Sequence, residues 1–254
     1  SNNYSNEEDL ISEMLSQQKI EDLSNNENDE IAACANCGKE GSNLNICNKC
    51  KSVKYCNAAC KKKHRSKHKK ACERRVAELH DEQLFKQVER EECPICLLPM
   101  PIDSNNSTFQ ACCGKRICLG CVCAMKMSEG KDLCAFCRTP TTYSGDEHIK
   151  RTKKLMEKGN ADAFNYLGGL YSQGECGLPR DFRKANDLWL KAGELGCSEG
   201  YHNFGNAYYF GRGTAVDLNK AKQYYELAAI GGNLQARNNL ACLEGLWIWL
   251  RKGL

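Results

Sequence analysis

Cysteines dominate the residues of this sequence that could do chemistry. The chain has 254 residues, of which 19 are cysteines, and 16 of these lie between Cys34 and Cys137. Many stand in pairs separated by two residues, a spacing at which the backbone turns sharply enough for two thiolates to bind one ion. We therefore expect metal or disulfides to hold the front half together.

Bound metal is the favoured alternative. Residues 34–72 hold seven cysteines, an odd number that disulfides would leave unbalanced. No charged segment followed by an apolar stretch opens the sequence, and the apolar run from Leu246 to Leu250 is too short to span a bilayer. The expected compartment is the reducing cytosol or nucleus, where paired cysteines bind metal.

The first block offers eight soft ligands, enough for two tetrahedral zinc sites. His68 and Cys72 are four residues apart and so share one face of a predicted helix. His64 is an alternative ligand, although the spacing favours His68. The eight ligands are Cys34, Cys37, Cys47, Cys50, Cys56, Cys60, His68 and Cys72.

This block resembles the MYND zinc finger over its whole length, including Lys54-Tyr55-Cys56 and the closing segment from His68 to Cys72. The resemblance implies two interleaved sites. One would comprise Cys34, Cys37, Cys56 and Cys60, and the other Cys47, Cys50, His68 and Cys72. His64 stands where the family usually has tryptophan, a departure that concerns the family's peptide groove and not the metal.

A second block again supplies eight ligands for two zinc ions: Cys93, Cys96, Cys112, Cys113, Cys118, Cys121, Cys134 and Cys137. It resembles an all-cysteine RING finger. The resemblance implies a cross-brace, with Cys93, Cys96, Cys118 and Cys121 on one zinc ion. Cys134 and Cys137 would share the other with ligands from Cys112 and Cys113.

The second block departs from the common RING pattern at Lys115. That pattern has a histidine ligand here, and a protonated lysine has no lone pair to offer zinc. Cys112 and Cys113 replace it only if two adjacent residues reach the same ion, and Cys123 is the alternative fourth ligand. Both blocks together predict about four zinc ions.

A RING finger acts by positioning a ubiquitin-conjugating enzyme, so its important residues lie on the surface. The resemblance implies that role for Ile95, Leu97 and Leu98 and for Arg138, which directly follows the last cysteine. An exposed apolar patch beside a zinc site favours a partner. The alternative is that Ile95 and Leu98 fill the small core of a purely structural zinc site.

The tail, residues 145–254, is a repeat. A shift of 37 aligns Leu167-Gly168 with Phe204-Gly205, a shift of 36 aligns Lys184-Ala185 with Lys220-Ala221, and a third copy begins at Ala236. Periods near 36 with two helices each predict an α-solenoid. The pattern resembles the Sel-one-like repeat, a relative of the tetratricopeptide repeat, which implies an adaptor surface. Helices are predicted over 147–158, 160–173, 181–195, 198–210, 217–230 and 233–244.

The predicted organisation has five parts: a disordered acidic tail (1–33), the MYND-type finger (34–72), a helical linker (73–92), the RING-like finger (93–140) and the repeats (145–254, two and a half copies). The expected fold class is mainly α, with small zinc-stabilised modules before an all-α solenoid. The basic run from Lys61 to Lys70 is interpreted as a solvated helix face.

The leading hypothesis is a zinc-binding interaction protein that recruits a ubiquitin-conjugating enzyme through the RING-like finger and selects substrates through the MYND-type finger and the repeats. The alternative is a non-enzymatic scaffold. The formal charge of +4 becomes about −3 if about 15 cysteines bind four zinc ions as thiolates. The net charge therefore gives no reason to expect a nucleic acid as partner. The short apolar runs give none to expect a membrane, and no catalytic residue is assigned.

Overall fold

A computed structural model describes residues 32–86, 90–103, 106–129, 132–142 and 144–252, with backbone alone at 244 and 246–252. The predicted acidic tail lies almost wholly outside this range. The chain divides into two compact units, Ser1–Lys86 and Gln87–Leu254. Because the division falls between the two cysteine-rich blocks, each finger belongs to a different unit.

The first unit is a small finger followed by one long helix. Strands β1 (Ala32–Ala33) and β2 (Glu40–Gly41) form one antiparallel pair, and β3 (Asn45–Ile46) and β4 (Lys54–Tyr55) form another. Helix α1 (Ala58–Phe85) begins at Asn57, whose side chain accepts a hydrogen bond from the Cys60 N–H. Four of the five buried residues of its core are cysteines, and the fifth is Tyr55. Apolar burial alone therefore contributes little to holding this finger together.

Helix α1 spans the end of the predicted finger and most of the predicted helical linker. The sequence predicts a finger that ends at residue 72 and a separate helical linker over 73–92, whereas one helix carries the last zinc ligands and runs on to Phe85. His68 and Cys72 are its buried residues. The helix is thus anchored near its middle and exposed over most of its length.

The second unit begins with the second finger. Strands β5 (Ser107–Gln110) and β6 (Lys115–Cys118) form an antiparallel hairpin, and helix α2 (Leu119–Glu129) follows directly. Two isolated bridges, Glu92 with Pro99 and Leu133 with Pro140, close the remaining cysteine loops. Its core consists of Ile117, Cys93 and Cys134, with Cys112, Cys113, Cys118 and Cys121 packed around them.

The rest of the second unit is an array of helices. They are α3 (Gly145–Glu157), α4 (Ala161–Gln173), α5 (Phe182–Glu194), α6 (Ser198–Phe210), α7 (Leu218–Ile230) and α8 (Leu234–Lys252). The mainly α fold class is confirmed. The helix boundaries agree with the sequence to within two residues, except that α8 continues well beyond residue 244, where the repeat pattern stops.

The repeat period is visible in the helix ends. Asp181 and Asp217 stand at equivalent N-caps, each accepting two backbone N–H groups of the helix that follows. Gly174 and Gly211 end α4 and α6 in the left-handed conformation, with φ of 74° and 67°. The same local signals therefore define the start and the end of successive helices.

Glycines in the first helix of each repeat make room for an aromatic ring on the second helix. A Cβ atom at Gly168 would lie 2.7 Å from the Trp189 ring, and one at Gly205 would lie 2.7 Å from the Tyr225 ring. Real side chains do not approach this closely, so neighbouring helices pack at a distance that only glycine allows.

Within the described ranges, no helix combines the length and the apolar composition needed to cross a membrane.

Two neighbouring glycines of α4 test this packing. Gly168→Ala should lower the free energy of unfolding by about 1–3 kcal/mol because its methyl group overlaps the Trp189 ring. Gly169→Ala has open space around the new methyl group and should raise the free energy by about 0.5–1 kcal/mol through helix propensity alone. Chemical denaturation followed by circular dichroism measures both, and equal effects of the two changes would contradict the packing argument.

Candidate metal centres

Four cysteine turns in the two fingers share one backbone geometry. In each of these four the residue after the second cysteine has positive φ, and its N–H donates to the carbonyl of the first cysteine. These four residues are Gly38, Lys51, Leu97 and Arg138, with φ of 72°, 54°, 57° and 59°. The turn directs both sulfurs of a pair to the same point, as a shared metal ion requires.

In the first finger the structure brings together the two quartets that the sequence predicts. One contains Cys34, Cys37, Cys56 and Cys60, and the other contains Cys47, Cys50, His68 and Cys72, with all ligand atoms of a quartet within 4.8 Å of one another. The pairs alternate along the chain, so the first joins the third and the second joins the fourth. Each site therefore joins two segments of the chain that are separated by a ligand pair of the other site.

The interatomic distances fit tetrahedral zinc. Ligands at about 2.3 Å from a zinc ion lie about 3.8 Å apart in a tetrahedron. The Sγ atoms of Cys37 and Cys56 are 3.7 Å apart, and those of Cys47 and Cys72 are 3.9 Å apart. A disulfide would require about 2.05 Å, and all the cysteines are free.

The two histidines of α1 have different neighbours. His68 is buried, and its Nε2 lies 3.3 Å from the Cys50 Sγ. His64 lies one turn earlier, with its Nδ1 at 3.2 Å from the Tyr55 hydroxyl and its ring stacked on that of His68. His64 therefore braces the ligand histidine and lies outside the quartet, so the structure favours His68 over His64 as the ligand.

Within a quartet, some thiols ionise more easily than others. A hydrogen bond from the Cys56 backbone lowers the pKa of Cys34 to about 6, whereas the interaction with the Cys60 thiol raises the pKa of Cys56 to about 12. Four sulfurs this close cannot all ionise unless a cation offsets their repulsion. A bound zinc ion would do so, and its binding would displace the remaining thiol protons.

The second finger holds two further quartets: Cys93, Cys96, Cys118 and Cys121, and Cys112, Cys113, Cys134 and Cys137. Their pairs interleave in the same way as those of the first finger. The Sγ atoms of Cys96 and Cys118 are 3.9 Å apart. Those of Cys113 and Cys134 are also 3.9 Å apart, and those of Cys112 and Cys137 are 3.4 Å apart.

Adjacent cysteines do reach one centre. Cys112 and Cys113 lie in the turn between β5 and β6, where the N–H groups of Cys113 and Gly114 both donate to the Gln110 carbonyl. This tight turn directs both sulfurs to Cys134 and Cys137. Cys123, the alternative ligand, is exposed on α2 and lies outside the quartet.

The residues that the sequence assigns to a partner lie on the surface of the second finger. Ile95, Leu97 and Leu98 have exposed fractions of 40%, 67% and 64%. Leu97 and Arg138 occupy the equivalent positive-φ positions of two cysteine turns. The structure therefore does not bury Ile95 or Leu98 as filling for the small core.

The sequence patterns do not reveal a groove along the array. The groove has a volume of about 440 Å³ and is lined by residues of β5 and by amide side chains of the helices, including Asn165, Asn203 and Asn206. Asn203 donates to the Asn165 side chain at 2.9 Å, and Tyr225 donates to that of Asn206 at 2.7 Å. Asn165 and Asn203 are 38 residues apart, so repeat shifts of 36 and 37 do not align them.

Comparison with known proteins identifies two kinds of module. The family model described as MYND finger matches residues 34–72, and the Sel1 repeat model matches residues 161–197 and 198–233. The chain therefore contains a MYND finger and Sel1 repeats, modules typical of protein interaction. No curated protein matches it.

Two solved structures are similar to the repeats. A Sel1 repeat protein from Oxalobacter formigenes is 34% identical over 37% of this chain and 38% of its own, with a TM-score of 0.36. The cysteine rich protein B of Helicobacter pylori is 21% identical over 48% of this chain and 81% of its own, with a TM-score of 0.38. The chain thus spans well under half of the first relative, and with such TM-scores neither likeness bears on function.

Zinc content distinguishes the two histidines of α1. His68→Ala should remove about one zinc ion per chain because His68 completes a buried quartet. His64→Ala should leave the content unchanged, since His64 contacts Tyr55 and the His68 ring instead. Native mass spectrometry counts the ions, and a loss with His64→Ala would transfer the ligand role to His64.

The same measurement distinguishes two cysteines of the second finger. Cys112→Ser should release about one zinc ion, whereas Cys123→Ser should release none because Cys123 lies outside both quartets. The opposite result would assign Cys123 as the fourth ligand.

Proposed function

We propose that this protein is a zinc-organised interaction scaffold that acts as a RING-type ubiquitin ligase or ligase adaptor. The MYND finger and the repeats bind proteins, and the second finger recruits a ubiquitin-conjugating enzyme charged with ubiquitin. About four zinc ions would be bound by the four quartets. Because thiolate ligands need reducing conditions, the cytosol or nucleus is the proposed compartment.

The single observation that carries this proposal is the apolar surface beside the interleaved cysteines of the second finger. Ile95, Leu97 and Leu98 are all substantially exposed around the first cysteine pair. Leu97 adopts positive φ, a conformation unfavourable for a leucine, and its side chain is mostly in solvent. A partner surface explains a leucine here better than folding does, since glycine would suit the backbone better.

Arg138 adds a cation at the equivalent position of the last cysteine turn. Its Nη1 lies 3.8 Å from the Met125 sulfur, which holds the guanidinium near α2. A guanidinium offers several donors in a fixed plane and can hydrogen-bond carbonyl groups of two proteins together. In this proposal Arg138 acts on the complex of ubiquitin and conjugating enzyme, and no side chain of the finger reacts covalently.

The repeats would select the substrate. Hydroxyl and charged side chains also line the groove and include both hydrogen-bond donors and acceptors, which suits the backbone of an extended polypeptide. The neighbouring strand β5 forms part of the same groove.

Ubiquitin chain formation by the zinc-loaded chain, measured against a panel of conjugating enzymes, tests the proposal. Ile95→Ala should lower the rate about tenfold or more by removing a central apolar contact. Leu97→Gly should do the same without harming the fold, because glycine adopts the required positive φ at no steric cost.

Lys51→Gly is the matched control. It makes the same backbone change at the equivalent turn of the first finger and should leave chain formation unchanged. If the zinc-loaded protein forms no chains with any conjugating enzyme, the alternative, a scaffold without ubiquitin transfer, replaces this proposal.

A further inference from the structure

The hairpin of the second finger has two different faces. Phe109 pairs directly with Arg116, and Thr108 pairs with Ile117. Because successive residues of a strand point to opposite sides, Phe109 and Arg116 share one face and Ile117 lies on the other. Ile117 is fully buried against the zinc-ligand cysteines. The opposite face packs on the helical array.

The apolar part of this contact centres on Phe109. Its ring lies 4.9 Å from that of Tyr166 on α4. Phe109 and Ala111 of the finger form one buried cluster with Ala163 of α4, and Leu155 of α3 packs against it. The finger and the first helices of the array therefore share a hydrophobic core.

The polar part centres on Arg116. Its Nη2 lies 2.6 Å from the Glu199 Oε2, and its Nε lies 4.0 Å from the Asp162 Oδ1. Asp162 and Glu199 occupy equivalent positions, 37 residues apart, in the first turns of α4 and α6. One side chain of the finger thus joins two successive repeats.

Glu199 depends on this partner. Burial raises the pKa of its carboxyl group, and the Arg116 guanidinium opposes that shift. A largely buried carboxylate without a cation is strongly unfavourable. Loss of the Arg116 side chain, with the finger still in place, would therefore leave an uncompensated charge between the finger and the array.

The Cys112 quartet contains two pairs of ligands, Cys112 with Cys113 and Cys134 with Cys137. Within three residues after each pair, the chain makes a hydrogen bond to the helical array. Gly114, next to Cys113, accepts a hydrogen bond from the Asn160 side chain at 3.5 Å, and Asn160 is the N-cap of α4. A Cβ at Gly114 would lie 2.8 Å from that Asn160 nitrogen. Pro140, three residues after Cys137, accepts from Arg151 of α3 at 2.9 Å.

From these contacts we infer that the second finger braces the first two repeats of the helical array, so that zinc at the Cys112 quartet controls the order of α3, α4 and α6. Each repeat of a solenoid contacts only its neighbours, so a module that contacts two repeats at once stabilises a short array. Phe109, Ala111 and Arg116 supply these contacts here. The inference requires zinc at this quartet and is independent of ubiquitin transfer.

Hydrogen exchange of the full zinc-loaded chain, read by mass spectrometry, tests this bracing role. Cys134→Ser removes a ligand of this quartet and should speed amide exchange in α3, α4 and α6 about tenfold or more. Cys50→Ser removes a ligand from the first finger, in the other unit, and should leave those helices unchanged. Loss of zinc from Cys134→Ser with wild-type exchange in α3, α4 and α6 would overturn the inference.

A second variant tests the interface at full zinc content. Arg116→Met should speed exchange about tenfold in the first turns of α4 and α6. Adding Glu199→Gln should restore most of the protection because the unpaired buried charge is gone. Lys115→Met removes an exposed cation from the same strand and should change nothing.

Arg116→Met decides the question alone if Cys134→Ser is insoluble. Exchange identical to that of Lys115→Met would contradict the bracing role of the finger. An equal acceleration in Arg116→Met with and without Glu199→Gln would contradict the role given to the buried ion pair.

Discussion

Both fingers depend on one constraint: in each quartet, four ligand side chains must reach a single metal ion. Their cores are too small to fold by burial: the first buries four cysteines and Tyr55, and the second buries Ile117 with two cysteines. Structural zinc binding contributes about 10–16 kcal/mol per site in small domains. Because the ligand pairs interleave, each ion joins segments that are distant in sequence, and the two ions of a finger together fix its whole path.

This constraint also determines the surface of the fingers. Each cysteine turn forces the residue after its second cysteine into positive φ, a conformation that favours glycine. Gly38 adopts this conformation at no steric cost. Leu97 and Arg138 also adopt it, but the Leu97 side chain extends into solvent and the Arg138 side chain lies near α2. The same geometry that binds metal thus presents an apolar and a cationic side chain at equivalent points of one finger.

The hairpin β5–β6 transmits the zinc geometry to the array. Ile117 packs inward against the cysteines, while Phe109 and Arg116 pack outward against Tyr166, Asp162 and Glu199. Any surface that the second finger presents therefore has a fixed position relative to the groove of the repeats. A ligase that must bring a conjugating enzyme and a substrate together benefits from such rigidity.

The sequence by itself determined the features that follow from the spacing of residues near one another in the chain. Ligand type and spacing identify the cysteine turns, and the period near 36 identifies the paired helices, whose caps Asp181 and Asp217 recur with it. Only the tertiary structure decided that Cys112 and not Cys123 joins its quartet, that α1 runs on to Phe85, and that Arg116 pairs with Glu199. The physical reason is distance along the chain. A four-residue strand has two faces of similar composition, and which face meets the array depends on packing between residues far apart in sequence.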